Sequence, residues 1–284
     1  KIHSVFIGGG TPSLISAQGY QWLFTQLKAV LAFEDDCEIT LEANPGTVEH
    51  DPFADYLAAG INRLSIGVQS FNTEHLKKLG RIHSNDDAIA AIGLAREAGF
   101  QRINVDLMHG LPEQTLQQAL QDLKLAVEHG ATHISWYQLT IEPNTVFFRT
   151  QPILPVDDVL EEIQAQGEAY LTAQGFVNYE VSAWRKELPS AHNLNYWQFG
   201  DYLAIGAGAH GKVTLHDGVY RFQKTRLACL NVGAAYQISS STETFHLAAS
   251  LAARRISALA KKVLPKRRPQ TASRNRASFC QPHK

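Results

Sequence analysis

Three polar side chains end successive apolar runs, and their types suit the capture of a small polar ligand. Glu42 closes the run Glu38-Ile39-Thr40-Leu41 and opens Ala43-Asn44-Pro45-Gly46; a carboxylate there can hold ribose hydroxyls or an ammonium group. Gln69 in Gly67-Val68-Gln69-Ser70-Phe71 and Asp106 in Asp106-Leu107-Met108-His109-Gly110-Leu111-Pro112 take the same place on later runs. Arg81, in Gly80-Arg81-Ile82-His83, lies just past a short helical stretch. Ahead of them all, Val5-Phe6-Ile7 ends in Gly8-Gly9-Gly10-Thr11-Pro12-Ser13. Three glycines let the backbone turn sharply and approach a ligand closely, and Thr11 or Ser13 is placed to cap the helix that follows. The turn lacks the Lys-Ser/Thr of a phosphate-cradling loop and the spacing of a dinucleotide turn. Taken singly, each residue is a tight turn or a satisfied loop group. Taken together, in this order at successive strand ends, they favour a binding site.

The elements that must position them alternate short apolar runs with helical patterns from Ser4 to about Leu139. Helical spacing runs from Leu14 to Leu31, over Phe53 to Ala59, through Leu76 and Leu79, from Asp86 to Glu97 and from Leu116 to Val127. Strands are expected at Val5-Phe6-Ile7, Glu38 to Leu41, Arg63 to Gly67, Ile103 to Asp106 and His133 to Leu139. Strand, loop and helix repeated in this way mean a parallel sheet, because parallel neighbours need a crossover. The expected class is α/β, a barrel or part-barrel, with a doubly wound open sheet as the alternative. Beyond Leu139 the pattern changes to a Pro-punctuated loop, an amphipathic helix over Asp157 to Ala173, and a Gly- and aromatic-rich stretch from Tyr179 to Gly211. Val213-Thr214-Leu215 and Val219-Tyr220-Arg221-Phe222, joined through His216-Asp217-Gly218, predict a hairpin. After Arg226 the pattern weakens to a marginal helix from about Phe245 to Leu264 and then disorder.

Composition excludes several classes. The formal net charge is −1, so no global field argues for nucleic acid or for a membrane surface. From Arg254 onward Lys and Arg occur without any Asp or Glu, which reads as a solvated, poorly ordered tail. Cys37, Cys229 and Cys280 are widely separated and form no disulfide framework, so the expected setting is a reducing cytoplasm. No apolar stretch is long enough to cross a bilayer. His3, His50 and His129 carry no spacing signal and read as surface.

GGGTP, ExNP, GVQSF, the GRIH arginine and DLMHGLP, in this order and spacing, resemble the HemN-like branch of the radical-SAM superfamily. The resemblance runs from Lys1 to about Arg226. It implies a partial (β/α)6 TIM-like barrel over residues 1–226 with a small, divergent C-terminal region over 227–284. It also implies that Gly8, Gly9, Gly10 and Thr11 meet the methionyl group of S-adenosylmethionine (SAM), and that Glu42, Gln69, Arg81 and Asp106 are its other contacts. His192-Asn193-Leu194-Asn195-Tyr196-Trp197 matches an HNxxYW pattern similar to that of HemW-type heme chaperones. A histidine beside flat aromatics can ligate heme iron while the rings cover porphyrin, which makes His192, Tyr196 and Trp197 candidate heme contacts; a plain packing cluster is the competing reading. Gly200 to Gly211 resembles the family's closing strand and Gly-rich loop.

Two departures qualify the resemblance. The family's 4Fe–4S cluster hangs on a CxxxCxxC loop upstream of GGGTP, and this chain begins downstream of it. One cubane needs thiolates gathered closely, which the three cysteines here cannot supply, so the chain as given is expected to hold no cluster and to cleave no SAM. The stretch from Leu227 does not look like the family's C-terminal domain, which suggests a shifted reading frame or a divergent end. The resulting expectation is a heme chaperone that in complete form binds SAM, a 4Fe–4S cluster and heme. Its partners would be respiratory or other heme-accepting proteins, with peripheral membrane contact allowed. An oxygen-independent coproporphyrinogen III oxidase and an inactive remnant or binding module are the alternatives.

Overall fold

The computed structural model describes residues 1–46, 50–206, 209–215, 218–223 and 229–234. Strands β1 (Ile2–Gly8), β2 (Phe33–Ala43), β3 (Arg63–Gln69), β4 (Arg102–His109) and β5 (His133–Gln138) lie side by side in chain order, all parallel. The crossovers are α1 (Ala17–Lys28), α2 (Phe53–Ala58), α3 (Thr73–Lys78) with α4 (Asn85–Glu97), and α5 (Leu116–Glu128). Local sequence starts these helices. Ser84 with Asp87, and Thr115 with Gln118, form complete capping boxes for α4 and α5, and Asn72 accepts from the first turn of α3. The expected cap of the first helix is corrected. Pro12–Leu14 makes only a 3-10 turn, the chain reopens at Ile15, and Ser16 is the residue that accepts from Gly19 N–H.

Alternation along the strands sorts the two faces of the sheet. Leu41, Leu64, Ile66, Ile103, Val105, Leu107 and Ile134 are buried beneath the helices with Tyr20, Leu27, Ile92 and Leu123. The alternate positions make an inner face that is polar, with Glu38, Thr40 and Glu42 on β2, Arg63 and Ser65 on β3, and Asn104 and Asp106 on β4. Helices therefore cover one face and the sheet curls around the other. This is a half-barrel and not the doubly wound alternative.

The second half of the chain extends the sheet from both sides. After α6 (Val146–Thr150) and α7 (Asp157–Ala173), β6 (Val177–Glu180) and β7 (Ala183–Arg185) add antiparallel strands beyond β5, so the described parallel part counts five strands. Then α8 (Ala191–Trp197) leads to β8 (Asp201–Ile205), β9 (His210–Leu215) and β10 (Gly218–Gln223). The last two are the expected hairpin, although His216 and Asp217 at its turn lie outside the described residues. Regular structure does not stop at Arg226. Cys229–Ala234 forms β11, inserted antiparallel between β1 and β8. The helix expected from about Phe245 to Leu264, and the end of the chain, lie outside the described residues. Among the described residues no helix is long and apolar enough to cross a membrane.

Candidate functional site

Parallel strands place their C-terminal ends together, and here those ends carry the polar residues singled out above. Gly8 ends β1 against Glu42. A β-carbon added at Gly8 would lie 2.7 Å from the Glu42 carboxylate, so a side chain there would displace that carboxylate. Gly9 turns with φ +79° and donates its N–H to Glu42 Oε2 at 3.0 Å; Gly10 follows with φ +70° and open space around it. Thr11 is partly buried, and its side chain caps nothing.

The two carboxylates of this mouth are short of cations. Burial pushes the Glu42 carboxyl up to about 7; the Gly9 N–H opposes the shift and nearby Asp106 reinforces it. Burial likewise raises Asp106, against bonds from Ser65 Oγ at 3.0 Å and from Ser135, the nearby Arg63 guanidinium and a bond from Asn104 Nδ2 at 2.8 Å. Neither carboxylate has an ion pair among the described residues, and neither has Arg81. Arg81 is nevertheless close enough to act on the phenol of Tyr137, as are Asp106 and Glu42. Gln69 Oε1 accepts from the same phenol at 2.6 Å. The structure thus gathers Gly8, Gly9, Glu42, Gln69, Arg81 and Asp106 around Tyr137, at one end of the sheet.

Supports that the sequence did not reveal hold this arrangement. The pairing of β3 with β4 slips between Ile66 and Gln69, and Gln69 takes φ +69°, which a non-glycine residue adopts only under constraint. Asp122 on α5 supplies the constraint from behind, accepting from Phe71 N–H at 2.7 Å and Ser70 Oγ at 2.8 Å. Burial raises its carboxyl to about 7. Asp122 escaped notice because a lone acid on an amphipathic helix reads as a solvated position. Tyr137 escaped notice because it stands inside an apolar strand.

The HNLNYW segment forms α8, which straps the inner side of the half-barrel. Glu38, 2% exposed on β2, meets its start. It accepts from Ser190 Oγ at 3.0 Å, Ala191 N–H at 3.0 Å and His192 N–H at 3.1 Å, and pairs with Arg102 at 2.8 Å. Burial alone would raise Glu38, but Arg63, Arg102 and these N–H groups hold it below the usual carboxylate range. His192 is 8% exposed, stacked on Phe6 of β1 at 4.4 Å and edge-on to Tyr196 at 4.8 Å. Tyr196 meets Tyr202 in turn. Trp197 is 52% exposed and donates to Glu180 on β6 at 3.1 Å. Asn195 Oδ1 accepts from His3 Nε2 at 3.2 Å, so His3 is part of this contact and not a bare surface histidine. Phe6 lies two residues before Gly8, so the strap sits one layer below the mouth.

These groups fit SAM and do not fit a cluster. An exposed glycine turn, two buried carboxylates and one guanidinium, none of the three charged groups in an ion pair among the described residues, match a ligand that carries an ammonium, a sulfonium, a carboxylate and ribose hydroxyls. Cys37 is buried, its thiol pushed up to about 12, mainly by burial with Glu38 adding to it, and is inert as a ligand. Among the described residues no group of three or more His, Cys, Asp or Glu could hold a metal ion.

Comparison with known proteins agrees with this fold. Residues 1–126 match the family model of the radical SAM superfamily. The chain is 56% identical to the heme chaperone HemW of Haemophilus influenzae over 80% of its own length and 60% of the relative's. It is 41% identical to the heme chaperone HemW of Buchnera aphidicola from Acyrthosiphon pisum, over 86% of this chain and 67% of that one. It therefore spans about three fifths of the length of the first of these relatives. Among solved structures, coproporphyrinogen III oxidase (HemN) from Escherichia coli, a radical SAM enzyme, superposes with a TM-score of 0.64 at 25% identity, over 83% of this chain and 60% of that one. A curled parallel sheet with a polar mouth at its C-terminal end and these identities lead to one conclusion: the chain belongs to the radical SAM superfamily, in its HemW branch.

Proposed function

We propose that the mouth binds SAM and that this chain is the barrel of a HemW-type heme chaperone. The observation that carries the reading is the gathering of Gly9 N–H, Glu42, Gln69, Arg81 and Asp106 around one phenol. A site with two cation-poor carboxylates favours a ligand bearing positive charge, and Arg81 and the Gly8-Gly9-Gly10-Thr11 turn can take its carboxylate. Bound SAM supplies a sulfonium carbon–sulfur bond that one electron can break. Glu42 holds an ammonium or ribose hydroxyls, Gln69 and Asp106 contribute further polar contacts, and the polar inner face keeps the ligand against the sheet. In a radical SAM protein a 4Fe–4S cluster would supply that electron.

The higher identity to HemW relatives, 56% against 25% for HemN, favours heme transfer over porphyrinogen decarboxylation. Heme would be passed to respiratory or other heme-accepting proteins in the cytoplasm, with peripheral contact at a membrane where the acceptor sits in one. The strap α8 offers Tyr196 and the exposed Trp197 to a porphyrin. His192 is 8% exposed, so it can meet iron only where the packing around its ring opens, and substitution tests it directly. His192→Phe keeps a stacking ring; a changed Soret band on hemin titration supports ligation, and an unchanged band and affinity return His192 to packing. The test of the whole reading uses an N-terminally extended, cluster-loaded form. Hemin binding without coproporphyrinogen III turnover is expected, and decarboxylation would hand the chain to the oxidase class instead.

A further inference from the structure

Tyr137 belongs to none of the motifs that mark the mouth, yet it is the residue around which they meet. It lies on β5 with its hydroxyl 2.6 Å from Gln69 Oε1, within electrostatic reach of Asp106, Arg81 and Glu42. A carboxamide has two faces of opposite character, an oxygen that accepts and an amino group that donates, and a half-turn exchanges them. Which face a ligand meets depends on what the rest of the site imposes. Here the Gln69 backbone is fixed from behind, since Asp122 holds Ser70 and Phe71 and keeps φ at +69°. The side chain needs a second restraint, and only Tyr137 is bonded to it among the described residues.

We propose that Tyr137 is a positioning residue whose phenol pins Gln69 Oε1 and so presents Nε2 as a hydrogen-bond donor to the ligand. The arrangement around Gly67 agrees. A β-carbon there would lie 3.1 Å from Gln69 Nε2 and 3.2 Å from Asn44 Oδ1, so the amino group and not the oxygen of Gln69 faces the space over Gly67. Burial holds the phenol in its protonated form, Asp106 adds to this, and the phenol therefore remains a donor at every physiological pH. Gln69 then reads an acceptor atom, such as a ribose oxygen, and discriminates against a donor in the same place. The inference deepens the reading of the mouth as a SAM site and rests on it for the identity of the ligand.

The test is a double-mutant cycle on SAM binding in the extended, cluster-loaded form, with Tyr137→Phe, Gln69→Ala and the pair. Phenylalanine keeps the ring, so packing is conserved. Tyr137→Phe is expected to weaken SAM about 5- to 10-fold, the size of one hydrogen bond, and to add less than about twofold once Gln69 is alanine. Equal losses in both backgrounds would show that Tyr137 acts independently of Gln69 and would overturn the proposal. A ligand-free measurement separates the two ideas. In this chain labelled with 15N-glutamine, the Gln69 side-chain amide pair should move toward solvent-averaged shifts in Tyr137→Phe; an unmoved pair refutes the pinning. Wild-type protein that binds no SAM, while that amide pair moves as expected, would sink the SAM reading and leave the Tyr137–Gln69 tie standing.

Discussion

Glu38 and Glu42 stand four residues apart on the same strand, face the same interior and differ in almost everything else. Glu38 at the closed end is crowded with donors and an arginine, and its carboxyl is held below its usual range. Glu42 at the mouth has one backbone N–H and a second carboxylate nearby, and burial takes its carboxyl up to about 7. The difference is one of saturation. Where the protein supplies every partner, a buried charge fastens one element to another. Where it withholds them, the charge waits for something that is not protein.

The comparison breaks most visibly at its closed end. Glu38→Ala removes the anion from the start of α8, from the partly exposed Arg102 and from the buried guanidinium of Arg63, which should cost about 3–5 kcal/mol. Urea denaturation measures it; a loss under about 1 kcal/mol would mean the strap is held elsewhere. At the mouth, Glu42→Gln should leave folding intact and weaken SAM in the cluster-loaded form by about 10- to 100-fold, the range of a charged hydrogen bond. Unchanged affinity would remove Glu42 from the site.

Acidity sharpens the contrast. Glu42 and Asp122 have folded values raised to about 7, so between the ordinary carboxylate range and 7 the folded chain binds more protons than the unfolded chain. Their contribution to stability is therefore lost as pH rises through that window. Glu38 is depressed, so its contribution is present above its unfolded value and lost as pH falls through the folded one. Buried His109 and His133, both lowered to about 4, push the whole chain the other way below their unfolded value, so the variants are compared with each other: the stability of the ligand-free chain relative to Glu42→Gln should fall from about pH 5.5 to 8, whereas Glu38→Gln should alter only the acid side. Parallel profiles for the two variants would erase the distinction. The smallest effect belongs to the strap's outer end. Trp197→Phe loses an exposed bond to Glu180 and should cost less than about 1 kcal/mol by the same denaturation measurement.

What could be read from the sequence follows the range of the forces involved. The five parallel strands and their crossovers are written in local periodicity, and helices such as Asp157–Ala173 fall where the spacing puts them. Glu42, Gln69 and Asp106 could be grouped because parallel strands bring like ends together whatever the tertiary detail. Glu38 could not, because its partners Ser190 to His192 lie some 150 residues away and nothing local distinguishes it from a solvated strand residue. The same holds for Asp122 with Phe71 and for Tyr137 with Gln69. The antiparallel strands β6 and β7 were hidden in a stretch whose glycines and aromatics suggest loops, and β11 in a region whose composition reads as tail, whereas β8 falls within the stretch that resembles a closing strand.

The distant clasp between Glu38 and the start of α8 also bears on how the chain is made. The strands β1 to β5 appear in the order in which they pair, so each can dock on its predecessor as it leaves the ribosome. The strap cannot. Until Ser190 emerges, Glu38 and the inner ends of Arg63 and Arg102 line an uncovered trough, charged and open to water. If the sheet assembles before Ser190 is made, its interior is still wet at that stage. The docking of seven residues converts that trough into a closed floor, and a chain arrested before them would carry a mouth with nothing firm beneath it.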